Sequence, residues 1–240
     1  MPIAVLSARR DAGGGLLLVA LDVDPELARA YTAPGQYVEV TTPAGRGYFV
    51  LGGAVGRSPW ELLVKNAGDA ADALFSLPFG SAVDVAGPMG AGFPVAHAES
   101  RAVLVAVVGS ALAVARPVMA LRIAEGAARK TFLFLGLRAA TDLPIADEVA
   151  AWSEEGVHVV LCLSRSELEH HAEVLPRAQR VAGYVQLAVA HAVEAGSVPP
   201  GALVVAAGPD GMLADLRAFA VSHAAVHPRT IPPLEVVTNV

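Results

Sequence analysis

The chain has 240 residues, 54% of them hydrophobic and 17% charged, which allows a large buried core and two domains and excludes an intrinsically disordered protein. Its net charge of −6 divides evenly: residues 1–98 hold six Lys/Arg against nine Asp/Glu, and residues 99–240 hold eleven against fourteen. Neither half therefore offers the basic surface that nucleic-acid binding requires. Cys162 is the single cysteine, so an internal disulfide and a cysteine-built zinc or iron–sulfur centre are excluded. The longest uncharged apolar run, residues 102–115, is shorter than the roughly 20 residues of a membrane span. The opening MPIAVLSARR lacks the basic-then-apolar order of a signal peptide, and a cytoplasmic location is expected.

In residues 1–98 the apolar runs are short and separated by turn residues. Residues 3–8, 16–21, 37–42, 48–52, 60–64 and 82–86 are expected as six strands. The breaks are Asp11-Ala-Gly-Gly-Gly15, Pro34-Gly35, Pro43-Ala44-Gly45 and Gly56-Arg57-Ser58-Pro59. Strands at this spacing imply an antiparallel barrel, interrupted by one helix over residues 70–76.

Two places in this half have the residue types to hold a ligand. In Arg46-Gly47-Tyr48-Phe49 a guanidinium stands two residues before an aromatic ring, so both leave one face of a strand. Arginine forks onto phosphate and the ring stacks, which suits a molecule with a phosphate end and a flat end. A cross-strand arginine beside a core tyrosine is the alternative reading of the same four residues. The second place is Lys65-Asn66-Ala67-Gly68-Asp69, a strand end running into a helix start. Free amides there could hold a pyrophosphate, with Lys65 nearby.

After Ser100 the pattern changes. Apolar runs at residues 103–108, 131–137, 157–163, 203–207 and 234–237 alternate with helical spacing at 116–128, 145–155, 184–195 and 212–223. This is the order of a five-stranded, doubly wound parallel sheet. The run over residues 103–108 leads through Gly109-Ser110-Ala111-Leu112-Ala113-Val114 into a helix, the arrangement that brings helix-start amides to a phosphate. Cys162, Met119 and Met212 are expected in the core. The pair His170-His171 lacks the i, i+4 spacing of a helical metal site, and no metal centre is expected.

Five motifs now stand in order: Pro34-Gly35-Gln36-Tyr37, Arg46-x-Tyr48, Lys65-x-x-Gly68, Leu74-x-x-Leu77-x-x-Gly80 and Gly87-Pro88-x-Gly90-x-x-Phe93. Together they resemble the FAD domain of the ferredoxin–NADP(+) reductase-like (FNR-like) flavoproteins. The resemblance continues through Gly136-Leu137-Arg138, Leu163-Ser164-Arg165, Gly183-Tyr184-Val185-Gln186 and Gly208-Pro209-x-x-Met212, and so covers nearly the whole chain. It implies a six-stranded flavin-type barrel over residues 1–98 and an NAD(P)-binding α/β domain over residues 99–240.

By that resemblance Arg46 meets the FAD pyrophosphate, Tyr48 lies against the isoalloxazine and Gly68 opens the helix on the other side, with Lys65 and Phe49 close by. Gly109, Ser110, Gly208 and Pro209 face NADP or NAD, and Arg165 and Tyr184 meet its adenine end. The implied function is NAD(P)H-dependent electron transfer through FAD to an acceptor, a protein or a small molecule, that the sequence does not identify. The sequence also departs from the family at the reaction centre. Phe49 replaces a hydroxyl residue, Ala111 replaces the second loop glycine, Val114 replaces a proline, and an alanine at 206 or 207 replaces a cysteine. No aromatic-ended tail or cysteine-rich extension is expected after Val240. Activity is accordingly expected to be attenuated. The alternative is a non-catalytic scaffold or binding protein on the same fold.

Overall fold

The computed structural model describes residues 2–98, 100–165, 175–226 and 235–238, and His170-His171 lies outside them. The chain folds into two compact units, Met1–Phe93 with Ser110–Ala120, and Pro94–Gly109 with Leu121–Val240.

The first unit is the barrel. Its strands are β1 (Ile3–Gly13), β2 (Leu16–Asp22), β3 (Tyr37–Thr42), β4 (Gly45–Val50), β5 (Trp60–Lys65) and β6 (Ala82–Met89), in the order β4-β3-β6-β1-β2-β5. Every pairing is antiparallel, and a bridge from Leu51 to Leu62 joins the two ends of the sheet. Alternate residues fill the interior: Ala4 and Leu6, Val19 and Leu21, Val38 and Val40, Leu62 and Val64, Val83 and Val85. β1 runs five residues past the expected end at Ala8, because Arg9, Arg10 and Asp11 pair with Val19, Leu18 and Leu17 of β2. Two helices accompany the strands, α1 (Pro25–Ala30) and α2 (Asp69–Ser76). α1 has no counterpart among the expected elements. It starts where the Asp24 carboxylate accepts from the amides of Glu26 and Leu27, both at 2.9 Å, with Pro25 in the first turn.

The second unit is a parallel sheet of β7 (Val103–Val108), β8 (Thr131–Leu137), β9 (His158–Leu163), β10 (Gln179–Ala182), β11 (Leu203–Ala207) and β12 (Glu235–Thr238). Their order is β10-β9-β8-β7-β11-β12. The sheet thus has six strands where five are expected. The extra one, β10, is an edge strand whose Gln-Arg-Val-Ala sequence carries no apolar run, since half-exposed edges do not need one. Its helices are α4 (Ala146–Glu154), α5 (Val185–Glu194) and α6 (Asp210–Val226), while α3 (Ala115–Ala124) starts in the first unit and ends in the second. Leu104, Ala106, Phe134 and Cys162 share one core with Val189 of α5 and Leu216 of α6. α4 lies against β9.

Arg122 near the end of α3 is wholly buried. It donates to the carbonyls of Ala98 at 3.0 Å and Arg101 at 2.9 Å, to the Glu125 carboxylate at 3.1 Å and to Thr131 Oγ1 at 3.3 Å. Arg101 in turn donates to the Gly201 carbonyl at 2.9 Å. A buried guanidinium is tolerated here because its donors meet carbonyls and a carboxylate.

Candidate cofactor-binding site

β4 follows a tight turn in which Thr42 Oγ1 donates to the Gly45 carbonyl at 3.0 Å. That turn sets the register: Thr41 opposite Arg46, Glu39 opposite Tyr48, Tyr37 opposite Val50. Alternation then sends Arg46 and Tyr48 outward together, and both are exposed. Phe49 leaves the other face and packs, partly buried, against the barrel core.

Tyr48 is 60% exposed, yet its ring has a neighbour. It stands edge-on to Tyr37 with centroids 6.1 Å apart and planes at 75°. Glu39 stands directly across the strand pair, and its carboxylate, as acceptor and as charge, holds the Tyr48 pKa above its ordinary value.

α2 begins directly beside this strand. A methyl group at Gly47 would lie 3.0 Å from the Phe49 ring and 3.2 Å from Ala70 Cβ, and one at Gly45 would lie 3.1 Å from Asp69 Cβ. Gly68 precedes the helix at φ 93° with no side chain capping the first turn and open space where its own side chain would be. The start of α2 thus packs against β4 on the face of Gly45, Gly47 and Phe49, opposite the one that carries Arg46 and Tyr48, and exposed Lys65 ends β5 three residues before Gly68. Asp69 and Asp72 in the first turn already complement the helix dipole.

Two of the five barrel motifs are structural. Gln36 Oε1 accepts from the amides of Thr32 at 2.8 Å and Ala33 at 3.1 Å, while Nε2 donates to the Gly90 carbonyl at 3.0 Å. The Phe93 ring lies over Gly35, where any side chain would come within 2.3 Å of it. Sequence reasoning misses Arg9, which donates to the carbonyls of Leu74 at 2.9 Å and Leu77 at 3.1 Å and closes the end of α2. Nothing in its local sequence announces a partner 65 residues away.

In the second unit the candidate residues sit at the carboxyl ends of strands. β7 and β11 are neighbours paired Val107 to Ala207, and the strand order reverses between them. Gly109 and Gly208-Pro209 follow these two strands, at the point where open α/β sheets receive ligands. Gly109 has φ 60° with open space around it. A methyl group at Gly208 would lie 2.8 Å from Met212 Cε. Farther along, the Gly183 amide donates to the Leu163 carbonyl at 2.9 Å, which brings Tyr184 and Arg165 to the ends of adjacent strands. Tyr184 is 62% exposed, and Arg165 is exposed with its amide bonded to the Arg138 carbonyl at 3.0 Å.

The segment after Gly109 differs from expectation. Residues Gly109–Val114 form a 3-10 turn, and α3 covers Ala115–Ala124 instead of residues 116–128. Leu112, Ala113 and Val114 are buried. Within the first unit a methyl group at Gly52 would meet the Ala113 carbonyl at 3.1 Å, and Arg116 donates to Glu61 at 2.8 Å and to the Gly52 carbonyl at 3.0 Å. Ser110 is partly buried. Cys162 and the methionines Met119 and Met212 lie in the core as expected. Burial pushes the Cys162 thiol up to about 12, which leaves it inert. Among the described residues no group of three or more His, Cys, Asp or Glu could hold a metal ion, and no helix is long and apolar enough to cross a membrane.

Solved structures share this architecture. An Amycolatopsis cytochrome P450 reductase superimposes with a TM-score of 0.75 at 24% identity, covering 99% of this chain and 68% of that one. The ferredoxin reductase of a carbazole 1,9a-dioxygenase gives 0.77 at 20% identity with the same coverage. A ferredoxin NADP+ reductase from Neisseria gonorrhoeae, solved with bound FAD and NADP, gives 0.72 at 14% identity over 99% of this chain and 98% of that one. The chain has the FNR-like fold. No protein-family model and no curated protein matches its sequence.

Proposed function

We propose that the chain is an FNR-like flavoprotein, located in the cytoplasm, that takes electrons from NADPH or NADH through FAD to an acceptor protein, at an attenuated rate. Residues 1–98 form its FAD domain and residues 99–240 its NAD(P) domain. The observation that carries this reading is the outward presentation of Arg46 and Tyr48 together from one face of β4, the strand against which the uncapped start of α2 also packs. A forked cation, an exposed ring and free helix-start amides suit a ligand with a flat ring and a diphosphate.

FAD, when bound, supplies the electron-relay chemistry. Arg46 holds the diphosphate, Tyr48 offers its ring face, Gly68 lets the backbone approach, and Lys65 adds positive charge. Gly109 and Ser110 face the dinucleotide phosphates, Gly208 and Pro209 border the nicotinamide end, and Arg165 and Tyr184 hold the adenine end. Attenuation follows from three departures, the last at position 206 or 207. Phe49 offers no polar group, Ala111 adds a methyl beside the phosphates, and alanines at 206 and 207 leave no thiol.

A non-catalytic binding protein on the same fold is the second reading, favoured by Phe49, which packs into the barrel core instead of facing the shelf. The absorbance spectrum of the purified chain, followed by titration of the apoprotein with FAD, separates the two. Flavin bands and micromolar uptake support the first. No uptake at high micromolar FAD leaves the second.

A further inference from the structure

A groove of about 1070 Å³ lies wholly within the second unit, and none of the proposed cofactor residues lines it. α5 packs across β7 and β8 on its way from β10 to β11, which leaves the same face of β9 and β10 beside it as the groove's floor. Phe134, Val160 and Val181, one from each of three adjacent strands, make that floor apolar. Ala188 and Ala192 of α5 form a low wall, and Leu187 stands 62% exposed at the lip. The volume is at the top of the range for small-molecule sites, roughly 300–1,000 Å³.

The shape and the charge of the groove select its ligand. Phe132 and His158, partners in the β8–β9 register, stack with centroids 4.7 Å apart and planes at 15°. Phe132 is buried while His158 is exposed, so the stack has an open end that a further flat ring can extend. His158 Nε2 donates to the Arg129 carbonyl at 3.2 Å, which orients the ring and leaves Nδ1 of the neutral imidazole as an acceptor. The other polar groups are Gln179, His191, Glu194 and Ser197, and no lysine or arginine stands among the described residues that line the groove. With neutral histidines, Glu194 is its single formal charge. Such a lining favours a cation and disfavours a nucleotide or any other anion.

We propose that this groove is a binding site for a flat aromatic cation, which stacks on the His158 ring, lays its apolar body over Phe134, Val160 and Val181, and turns its charge toward Glu194. Ala188 and Ala192 keep the groove open, since a large side chain at either would occupy the ligand's space. The site is independent of the flavin reading and stands or falls without it.

Thioflavin T, a flat aromatic cation whose emission rises when it is held rigid, is the probe, and the anionic dye anilinonaphthalene sulfonate is its counterpart. Both are titrated into the full chain for wild type, Ala192→Trp, His158→Ala and Glu194→Gln, with size-exclusion chromatography and a thermal melt of each. Wild type is expected to bind thioflavin T and to bind the anionic dye more weakly. Ala192→Trp, which fills the groove, abolishes thioflavin T binding. His158→Ala raises its Kd about fivefold, the scale of one aromatic stack. Glu194→Gln raises it about twofold, as for an exposed charge pair. If Ala192→Trp fails to fold, His158→Ala, at an exposed position, decides alone. Absence of thioflavin T binding to wild type, or binding unchanged in His158→Ala, overturns the proposal, as does a preference for the anionic dye. A wild-type dimer that Ala192→Trp dissociates overturns it too, because a second copy of the chain then occupies the groove.

Discussion

The two candidate sites are built from different materials. On the barrel the candidate groups are side chains: Arg46 and Tyr48 stand on a paired strand, with Tyr48 edge-on to Tyr37 and opposite Glu39. At the parallel-sheet ends the polar side chains are few and backbone is brought close: Gly109 and Gly208 follow neighbouring strands, and Gly136 stands near the end of β8 in a tight fit. The first kind of site fails when atoms are removed, the second when atoms are added. A strand that is only half buried can display side chains, whereas strands buried on both faces offer little but their ends.

This contrast can be broken most directly at Arg46. Arg46→Ala should weaken FAD by about 10- to 100-fold, as expected for a lost charge-assisted fork, while leaving the melting temperature unchanged because the side chain is exposed. Isothermal titration and a thermal melt check both halves. A large drop in melting temperature would place Arg46 in the fold instead of the site.

Addition is tested at Gly136. A methyl group there would stand 2.8 Å from Val108 Cγ2 and 2.8 Å from Val185 Cγ2. Gly136→Ala should destabilise the protein by about 1–3 kcal/mol, the range for overpacking, measured by urea unfolding. At Gly109 space is open and only the backbone angle, φ 60°, objects to a side chain. Gly109→Ala should therefore cost about 1 kcal/mol of stability, and Gly109→Asn less, since asparagine tolerates this region. Equal losses for the two would point to an unseen contact at the strand end.

The smallest effect is a pH dependence at Cys162. Burial keeps its thiol protonated up to about 12 in the folded chain. In the unfolded chain the thiol ionises from about pH 8.5, so between these values the unfolded state binds fewer protons and stability falls as pH rises. Cys162→Ala should remove that alkaline slope. A thiol reagent at pH 8 should leave folded wild type unmodified and label it in urea.

Much of the fold is legible in the amino-acid sequence, and so is the placement of the candidate side chains on β4. Short apolar runs between turn residues announce the barrel strands, and strand–helix alternation announces the parallel sheet. The face shared by Arg46 and Tyr48, opposite Phe49, follows from spacing alone. What escapes depends on pairing across distance. Glu39 meets Tyr48 only because the turn between Thr42 and Gly45 fixes the register, which no single strand encodes. Arg9 finds its carbonyls on another element altogether. β10 is hidden by an edge strand's polar sequence. α1 is a different kind of omission, since Asp24-Pro25 is an ordinary helix-start signal and suffices to expect it.

Arg122 bears on how such chains can be recombined. Its guanidinium binds the carbonyls of Ala98 and Arg101, so the segment where composition changes from barrel to sheet belongs physically to the second unit. Ser110–Ala120, by contrast, travels with the first. A chimera that exchanges residues 1–98 for those of another protein with this fold would therefore separate a donor from its acceptor and leave eleven residues with the wrong host. A crossover placed just after Phe93, with residues 110–120 carried along from the same parent as the barrel, keeps each set of partners within one parent.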